Sequence, residues 1–399
     1  MSTERAPELP GRAWTEVFPA FLYLGLTSFG GPVAHLGYFR REFVDKRRWL
    51  DETSYADIVG LCQFLPGPAS SQVGISLGLM RAGIPGAIAA WLGFTAPSAA
   101  LMMAFGYGAT ALREAAGSAW LHGLQIVAVA VVAQAVIGMA RVLCPDIPRI
   151  ALALGAAVLM LFVPASLGQI IVIVAGGLIG WAILPLETRK VEALSFRVSR
   201  LTASTSLVLF FVLLAALPIA DAISGSQVVA LLDSFYRAGA LVFGGGHVVL
   251  PLLQTSVVPQ GWVSNDDFLS GYGAAQAVPG PLFTFSAYLG TVMAQPPNGW
   301  LGGLICLVAI FLPSFLLVIG ALPLWNDLRQ IAWAQSALSG INAAVVGLLL
   351  AALYDPVWTS AIFTGTDVAL GLFAFIGLIV RIPPILVVLA TAGLATLVA

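Results

Sequence analysis

Charge is what this chain has least of: 18 basic and 19 acidic residues in 399, or 9%, where an ordinary soluble domain carries about 25%. So few charged side chains cannot wet the surface of a water-soluble globule of this length, which excludes a soluble enzyme. A net charge of −1 leaves no basic footprint, so no nucleic-acid partner is expected. Cysteine is nearly absent. Cys62, Cys144 and Cys306 stand far apart in apolar stretches, with neither a disulfide framework nor metal-ligand spacing, and are expected to be buried. No metal site is expected. No dinucleotide-binding glycine motif follows a strand-like run, no haem or iron–sulfur ligand set occurs, and no P-loop is present. A redox or nucleotide-dependent membrane enzyme is therefore disfavoured, and no cofactor is expected. The polar first dozen residues, with Arg5 and Arg12, are not followed by a short apolar core and a cleavage site, so no cleaved leader is expected.

What fills the chain is apolar, at 59% of residues. A helix needs about 20 apolar residues to cross a bilayer core. Candidate segments run at approximately 14–39, 51–83, 84–112, 120–143, 150–163, 167–186, 201–220, 228–254, 264–295, 299–324, 333–354, 367–381 and 383–399. The 42 glycines and 24 prolines lie largely within such runs, where neighbouring helices can satisfy the backbone groups they free. The fold class expected is an all-α polytopic membrane protein, solvated by lipid. One polar stretch, 187–200 (ETRKVEALSFRVSR), reads as a cytoplasmic linker between an N-terminal transporter repeat, 1–186, and a C-terminal one, 201–399.

The two halves repeat each other. Laid over Trp262–Pro281 without gaps, Trp49–Pro68 matches at six of twenty positions, where chance gives about one. The matches include Gly60/Gly273, Gln63/Gln276 and the whole of Pro66-Gly67-Pro68 against Pro279-Gly280-Pro281. Upstream, Phe29-Gly30-Gly31 matches Phe243-Gly244-Gly245; downstream, Pro97-Ser98 matches Pro313-Ser314. The loop Arg40–Arg48 carries five basic residues, whereas its counterpart near 254–267 carries none and holds Asp266 and Asp267. Basic loops stay cytoplasmic, so the equivalent loops are expected on opposite sides, as in an inverted repeat. Re-entrant hairpins bent at Gly30-Gly31-Pro32, Pro66-Gly67-Pro68, Gly244-Gly245-Gly246 and Pro279-Gly280-Pro281 distribute the basic residues best, leaving nine crossings.

Pro-Gly-Pro inside a membrane segment removes a backbone donor and frees the chain. Such backbone is tolerated only inside protein or against a water-filled cavity. Pro68 suits the first position of a new helix, whose opening turn offers free N–H groups at Ala69, Ser70 and Ser71 and the positive end of a dipole. Pro281 precedes Leu282, Phe283 and Thr284 in the same way. Two such sites facing each other would form one oxyanion pocket. A kink that merely lets helices pack is the alternative, weakened by recurrence at one register. Gln63 and Gln276 precede each break and can donate amide hydrogens; helix–helix adhesion is the equal alternative. His35 and His247 follow the glycine breaks and are either packing residues or proton carriers. Glu42, Asp45 and the basic cluster around them form a cytoplasmic anchoring face, with attraction of anions to the inner mouth as a secondary role; Glu42 and Lys46 are also candidate proton or gate residues. Arg237, the one basic residue placed at membrane depth, is a candidate countercharge for substrate, against a snorkelling arginine at the interface.

These motifs resemble the chromate ion transporter family. Ser28-Phe29-Gly30-Gly31-Pro32, the run from Arg41 to Leu50, Gln63-Phe64-Leu65-Pro66-Gly67-Pro68 and Ala96-Pro97-Ser98 look like its first domain. Phe243-Gly244-Gly245-Gly246, Gln276-Ala277-Val278-Pro279-Gly280-Pro281 and Leu312-Pro313-Ser314 look like its second. The resemblance is to the full-length, two-domain form. It implies a proton-coupled antiporter in the bacterial inner membrane that expels chromate and so confers chromate resistance. Nothing in the residues selects chromium, and a carrier for uptake or exchange of sulfate or another oxyanion is the alternative. A homodimer is one assembly left open. Thr255 and Pro259 replace the acidic and basic positions Glu42 and Lys46 in the second half, so unequal roles are expected.

Overall fold

Proline and glycine mark the central breaks, while Pro19, Pro97, Pro218 and Pro313 lie within helices. The computed structural model describes residues 14–29, 31–116, 119–163, 165–184, 198–243, 246–322 and 332–398. Gly30, Gly244, Gly245 and most of the linker lie outside the described residues. The first apolar segment divides into α1 (Trp14–Thr27) and α2 (Gly31–Phe39), which runs on into a π-helical turn, Arg40–Lys46. Asp51 caps α3 (Glu52–Phe64) by accepting from the Ser54 N–H at 2.7 Å. The chain leaves helical geometry through Pro66-Gly67-Pro68 and re-enters it in α4 (Ala69–Ala116), interrupted at Ala82 and Gly83, where φ of +65° suits glycine. Next come α5 (Ala119–Leu143), α6 (Ile147–Phe162) and α7 (Ala165–Ile183).

The second half opens with α8 (Arg200–Ser224), which Gly225 ends in the left-handed conformation. It continues through α9 (Gln227–Ala240) and a 3₁₀ turn, Gly246–Val248, leading into α10 (Val249–Val257). Ser264 caps α11 (Asn265–Ala275) at the register of Asp51. After the second Pro-Gly-Pro come a 3₁₀ turn, Leu282–Thr284, and α12 (Phe285–Val292). The chain ends with α13 (Gly299–Ala321), α14 (Ala332–Ala352), α15 (Gly365–Ile379) and α16 (Pro384–Val398).

Among the described residues there is no strand, and five helical stretches are long and apolar enough to cross a membrane. The helices flanking the breaks are different. α1, α2, α3 and α9 to α12 have 8 to 14 residues. At about 1.5 Å per residue each falls short of a bilayer core about 30 Å thick. α9 to α12 are largely buried among the long helices, whereas α1 and α3 keep one face exposed. α1 packs along α4, α9 along α13, and α12 between α4 and α13. The outer helices exchange partners between halves: α5 packs against α15 and α16, and α14 against α6 and α7. His122 on α5 is 3.0 Å from the Asp367 carboxylate at the start of α15. Where α7 meets α14, Gly176, Gly180 and Gly340 bring backbones together, the close approach that small residues permit in lipid. α8 rests on α9 and α13 and turns Phe211, Val212, Ile219 and Ile223 outward. A multi-pass membrane protein follows from these surfaces.

Candidate functional site

Each Pro-Gly-Pro break is closed by the other half of the chain. Gly67 N–H donates to the Val242 carbonyl at 2.6 Å, and Gly280 N–H donates to the Ser28 carbonyl at 2.9 Å. Ser28 and Val242 each precede a Phe-Gly-Gly, so one bond is made twice, once in each direction. Both glycines hold positive φ, +124° and +98°, where a side chain would be strained. A Cβ added at Gly67 would stand 2.5 Å from Gln72 Nε2 and 2.9 Å from Ser314 Oγ, and one at Gly280 2.8 Å from Ser98 Oγ. The repeated Pro97-Ser98 and Pro313-Ser314 are thus where the opposite break is seated. Within the breaks, Gln72 Nε2 donates to the Pro66 carbonyl at 2.7 Å and Thr284 Oγ1 to the Pro281 carbonyl at 2.9 Å.

At this crossing lies a cavity of about 530 Å³. Gly31 and Pro32 line it at the start of α2, and Ala69 at the start of α4. Gly246 and His247 line it where the chain turns into α10, and Leu282 where it turns into α12. Four helix N-termini therefore meet there, each presenting backbone N–H groups and the positive end of a dipole. Gln63 and Gln276 enter from the C-terminal ends of α3 and α11, together with the two break glycines, Gly67 and Gly280. Gln134 on α5 and Asn342 on α14 add two more amides. Among the described residues lining the cavity there is no Lys, Arg, Asp or Glu. Such a lining suits an anion that must bind and leave.

The other candidates fall outside the lining. Ser70 and Ser71 are buried; Ser70 Oγ lies 3.3 Å from His35 Nδ1, and Ser71 Oγ has no partner among the described residues. The Thr284 hydroxyl is engaged by its own break. Pro66, Pro68, Pro279 and Pro281 shape the breaks without lining the cavity. His35 is buried behind it, whereas His247 lines it, with Nδ1 2.8 Å from the Tyr272 hydroxyl. Arg237 stands off the cavity in an ion pair with the buried Asp233. Glu42 is buried in the loop after α2, accepting from Arg47 at 2.8 Å and Lys46 at 3.1 Å. Burial pushes its carboxyl up, but these hydrogen bonds leave it below the usual carboxylate range. Gln134 and Asn342 were missed from sequence; an uncharged amide within an apolar helix was the available signal.

Broken helices whose ends converge on a polar cavity, inside a multi-pass helical membrane protein, define a transporter and not an enzyme. The chain belongs to the chromate transporter family, whose model matches residues 15–181 and 229–397. The unmatched interval contains the linker and α8. The chain is 29% identical over 363 residues to the chromate transport protein of Pseudomonas aeruginosa, covering 89% of this chain and 83% of that one. It is 26% identical over 347 residues to the chromate transport protein of Cupriavidus metallidurans, covering 84% and 80%. A shorter match, 38% identical over 122 residues, links 30% of this chain to 66% of the uncharacterized transporter YwrA of Bacillus subtilis. No solved structure matches the chain.

Proposed function

We propose that the chain exports chromate from the bacterial cytoplasm across the inner membrane, driven by protons returning inward. The observation that carries this reading is the meeting of four helix N-termini at a cavity lined without charged side chains among the described residues. Each N-terminus supplies about half an elementary positive charge and each of the two C-termini, of α3 and α11, about half a negative one. The dipoles thus offset part of a dianion's charge, and the hydrogen-bond donors carry the rest. The first-turn N–H groups of Ala69, Ser70 and Ser71 and the amides of Gln63, Gln276, Gln134 and Asn342 donate to the oxyanion. Arg237, already paired, acts at most as a gate. His247, facing the cavity, is the better placed histidine for proton movement. The relatives named for chromate transport supply the choice of chromium. The donor set itself suits any tetrahedral dianion, which keeps exchange or uptake of sulfate as the second reading.

The halves 1–186 and 201–399 are further proposed to run in opposite senses through the membrane, with 187–200 joining them in the cytoplasm. The equivalences are α1 to α9, α2 to α10, α3 to α11, the two parts of α4 to α12 and α13, and α5, α6, α7 to α14, α15, α16. Three features support this: the paired Gly67 and Gly280 bonds, the exchanged partners of α5 and α14, and the basic loop set against an acidic one. α8 has no counterpart. Inverted membrane vesicles should accumulate labelled chromate when their lumen is acidic and lose that accumulation when the pH gradient is collapsed. Absence of chromate accumulation under both conditions, with sulfate moved instead, would select the second reading.

A further inference from the structure

Beside the central cavity lies a second hollow, about 390 Å³, between α2 and α3. The two share Leu36 and Gln63 in their linings, so little else separates them. The mouth of the hollow holds Arg40 and Glu52. Arg40 Nε donates to one Glu52 oxygen at 2.8 Å, its second nitrogen lies 2.7 Å from the other, and a third is 3.1 Å from Asp45. All three side chains are half exposed, so the cluster sits at an aqueous entrance. Tyr55 donates to the Leu36 carbonyl at 2.6 Å and holds the two walls together.

The other half has a counterpart in neutral form. Gln254 stands eleven residues after Phe243, as Arg40 does after Phe29; Asn265 stands three after Trp262, as Glu52 does after Trp49. Gln254 Nε2 donates to Asn265 Oδ1 at 2.7 Å, joining α10 to α11 as the ion pair joins α2 to α3. One position thus carries a charged clasp in the first half and an uncharged one in the second.

We propose that the groove between α2 and α3 is the entrance to the central cavity and that Arg40 is its anion-capturing residue. The guanidinium fork fits two oxygens of a tetrahedral dianion. An arriving anion displaces Glu52 and Asp45, loosens the clasp between α2 and α3, and passes Leu36 and Gln63. The Gln254–Asn265 clasp, with Gln254 buried, offers no such cation. Capture is thus confined to the groove of the first half. The inference rests on the proposed oxyanion transport and on the cytoplasmic placement of the loop after α2.

Transport by the unmodified chain into inverted vesicles is measured first; its failure counts against the transport reading and leaves the groove to the labelling arm. Arg40→Gln should raise the KM for chromate at the cytoplasmic face by about tenfold, the scale of lost electrostatic capture, with Vmax little changed. Arg40→Lys should recover part of that loss. Arg40→Gln with Glu52→Gln and Asp45→Asn leaves neither of the carboxylates that Arg40 pairs with unpaired and should show the same rise; a normal KM in this triple variant would overturn the proposal. For the path itself, Gly37 and Gly60 line the groove, and a Cβ at either meets open space. In a chain carrying Cys62→Ala, Cys144→Ala and Cys306→Ala, Gly60→Cys or Gly37→Cys should react with 2-sulfonatoethyl methanethiosulfonate from the cytoplasmic face and lose transport. No reaction from that face overturns the entrance.

Discussion

In the loop after α2, Glu42 is clasped by Lys46 and Arg47, and Arg47 and Arg81 lie over the ring of Trp49. In the second half the same positions hold Thr255, in the last turn of α10, and Pro259, just beyond it; the Thr255 hydroxyl bonds back to the Pro251 carbonyl, and Gln169 donates to it from α7. One loop is tied down by charge, the other by neutral hydrogen bonds. The breaks that follow, by contrast, differ little: both glycines take positive φ and both reach across to the other half. Chemistry at the centre is shared, and chemistry at the mouths is not. Under the proposed transport, the centre meets the substrate from either side, whereas each loop meets only one aqueous phase.

The largest expected difference is one of sidedness. With the native cysteines replaced, Arg41→Cys should react with an impermeant thiol reagent only in inverted vesicles, and Gln260→Cys only in intact cells. Both positions are exposed, whereas Phe43 in the first loop is fully buried and would report nothing. Reaction of both from one side would end the opposite-orientation reading. Next come the break glycines. Gly67→Ala and Gly280→Ala each combine backbone strain with a clash, at about 3 kcal/mol or more. Thermal unfolding in detergent should reveal it, with partial rescue by Ser314→Gly for the first and Ser98→Gly for the second. Rescue by the wrong partner would break the reciprocity.

A smaller effect separates amides from hydroxyls. Gln63→Ala and Gln276→Ala should each weaken chromate binding by about 1.5–3 kcal/mol, the worth of a hydrogen bond to a charged group. Ser71→Ala, whose hydroxyl lies off the cavity, should leave binding nearly unchanged in the same equilibrium assay. The smallest difference is in response to acid. Glu42 is held below its ordinary range, so its ion pairs stabilise the inner loop above the unfolded carboxylate pKa. That stability is lost as pH falls through the lowered folded value. Protection factors over 40–48, exchange corrected for its intrinsic pH dependence, should fall as pH drops below the ordinary carboxylate range, while those over 254–264, without this carboxylate, stay unchanged.

The breaks were legible because proline and glycine act locally and because each motif occurs twice. Gln63 and Gln276 were legible for the same reason. Ser70, Ser71 and Thr284 show where local reasoning stops: a helix start offers its N–H groups wherever it points, but the rotation of the helix decides which hydroxyls face the cavity. Gln134 and Asn342 sit on long apolar helices whose inward faces are set by packing against distant neighbours, α16 and α7 among them. Ser98 and Ser314 were visible as a repeat, but their purpose required knowing what lies across from them, and Gly67 and Ser314 are far apart in the chain. Arg40 was legible only as one of a basic cluster that could draw anions to the inner mouth; its fork onto Glu52 at the mouth of the second hollow required the structure.

The paired bonds from Gly67 to Val242 and from Gly280 to Ser28 make neither half self-sufficient. A lone first half would leave the Gly67 N–H without its acceptor and the Ser28 carbonyl without its donor, both in a setting with little water. Its cavity would lack one wall. The minimal working unit is therefore a pair of halves, whether on one polypeptide or two. Severing the chain in the interval before α9 should leave fragments that are degraded singly and complement each other when made together.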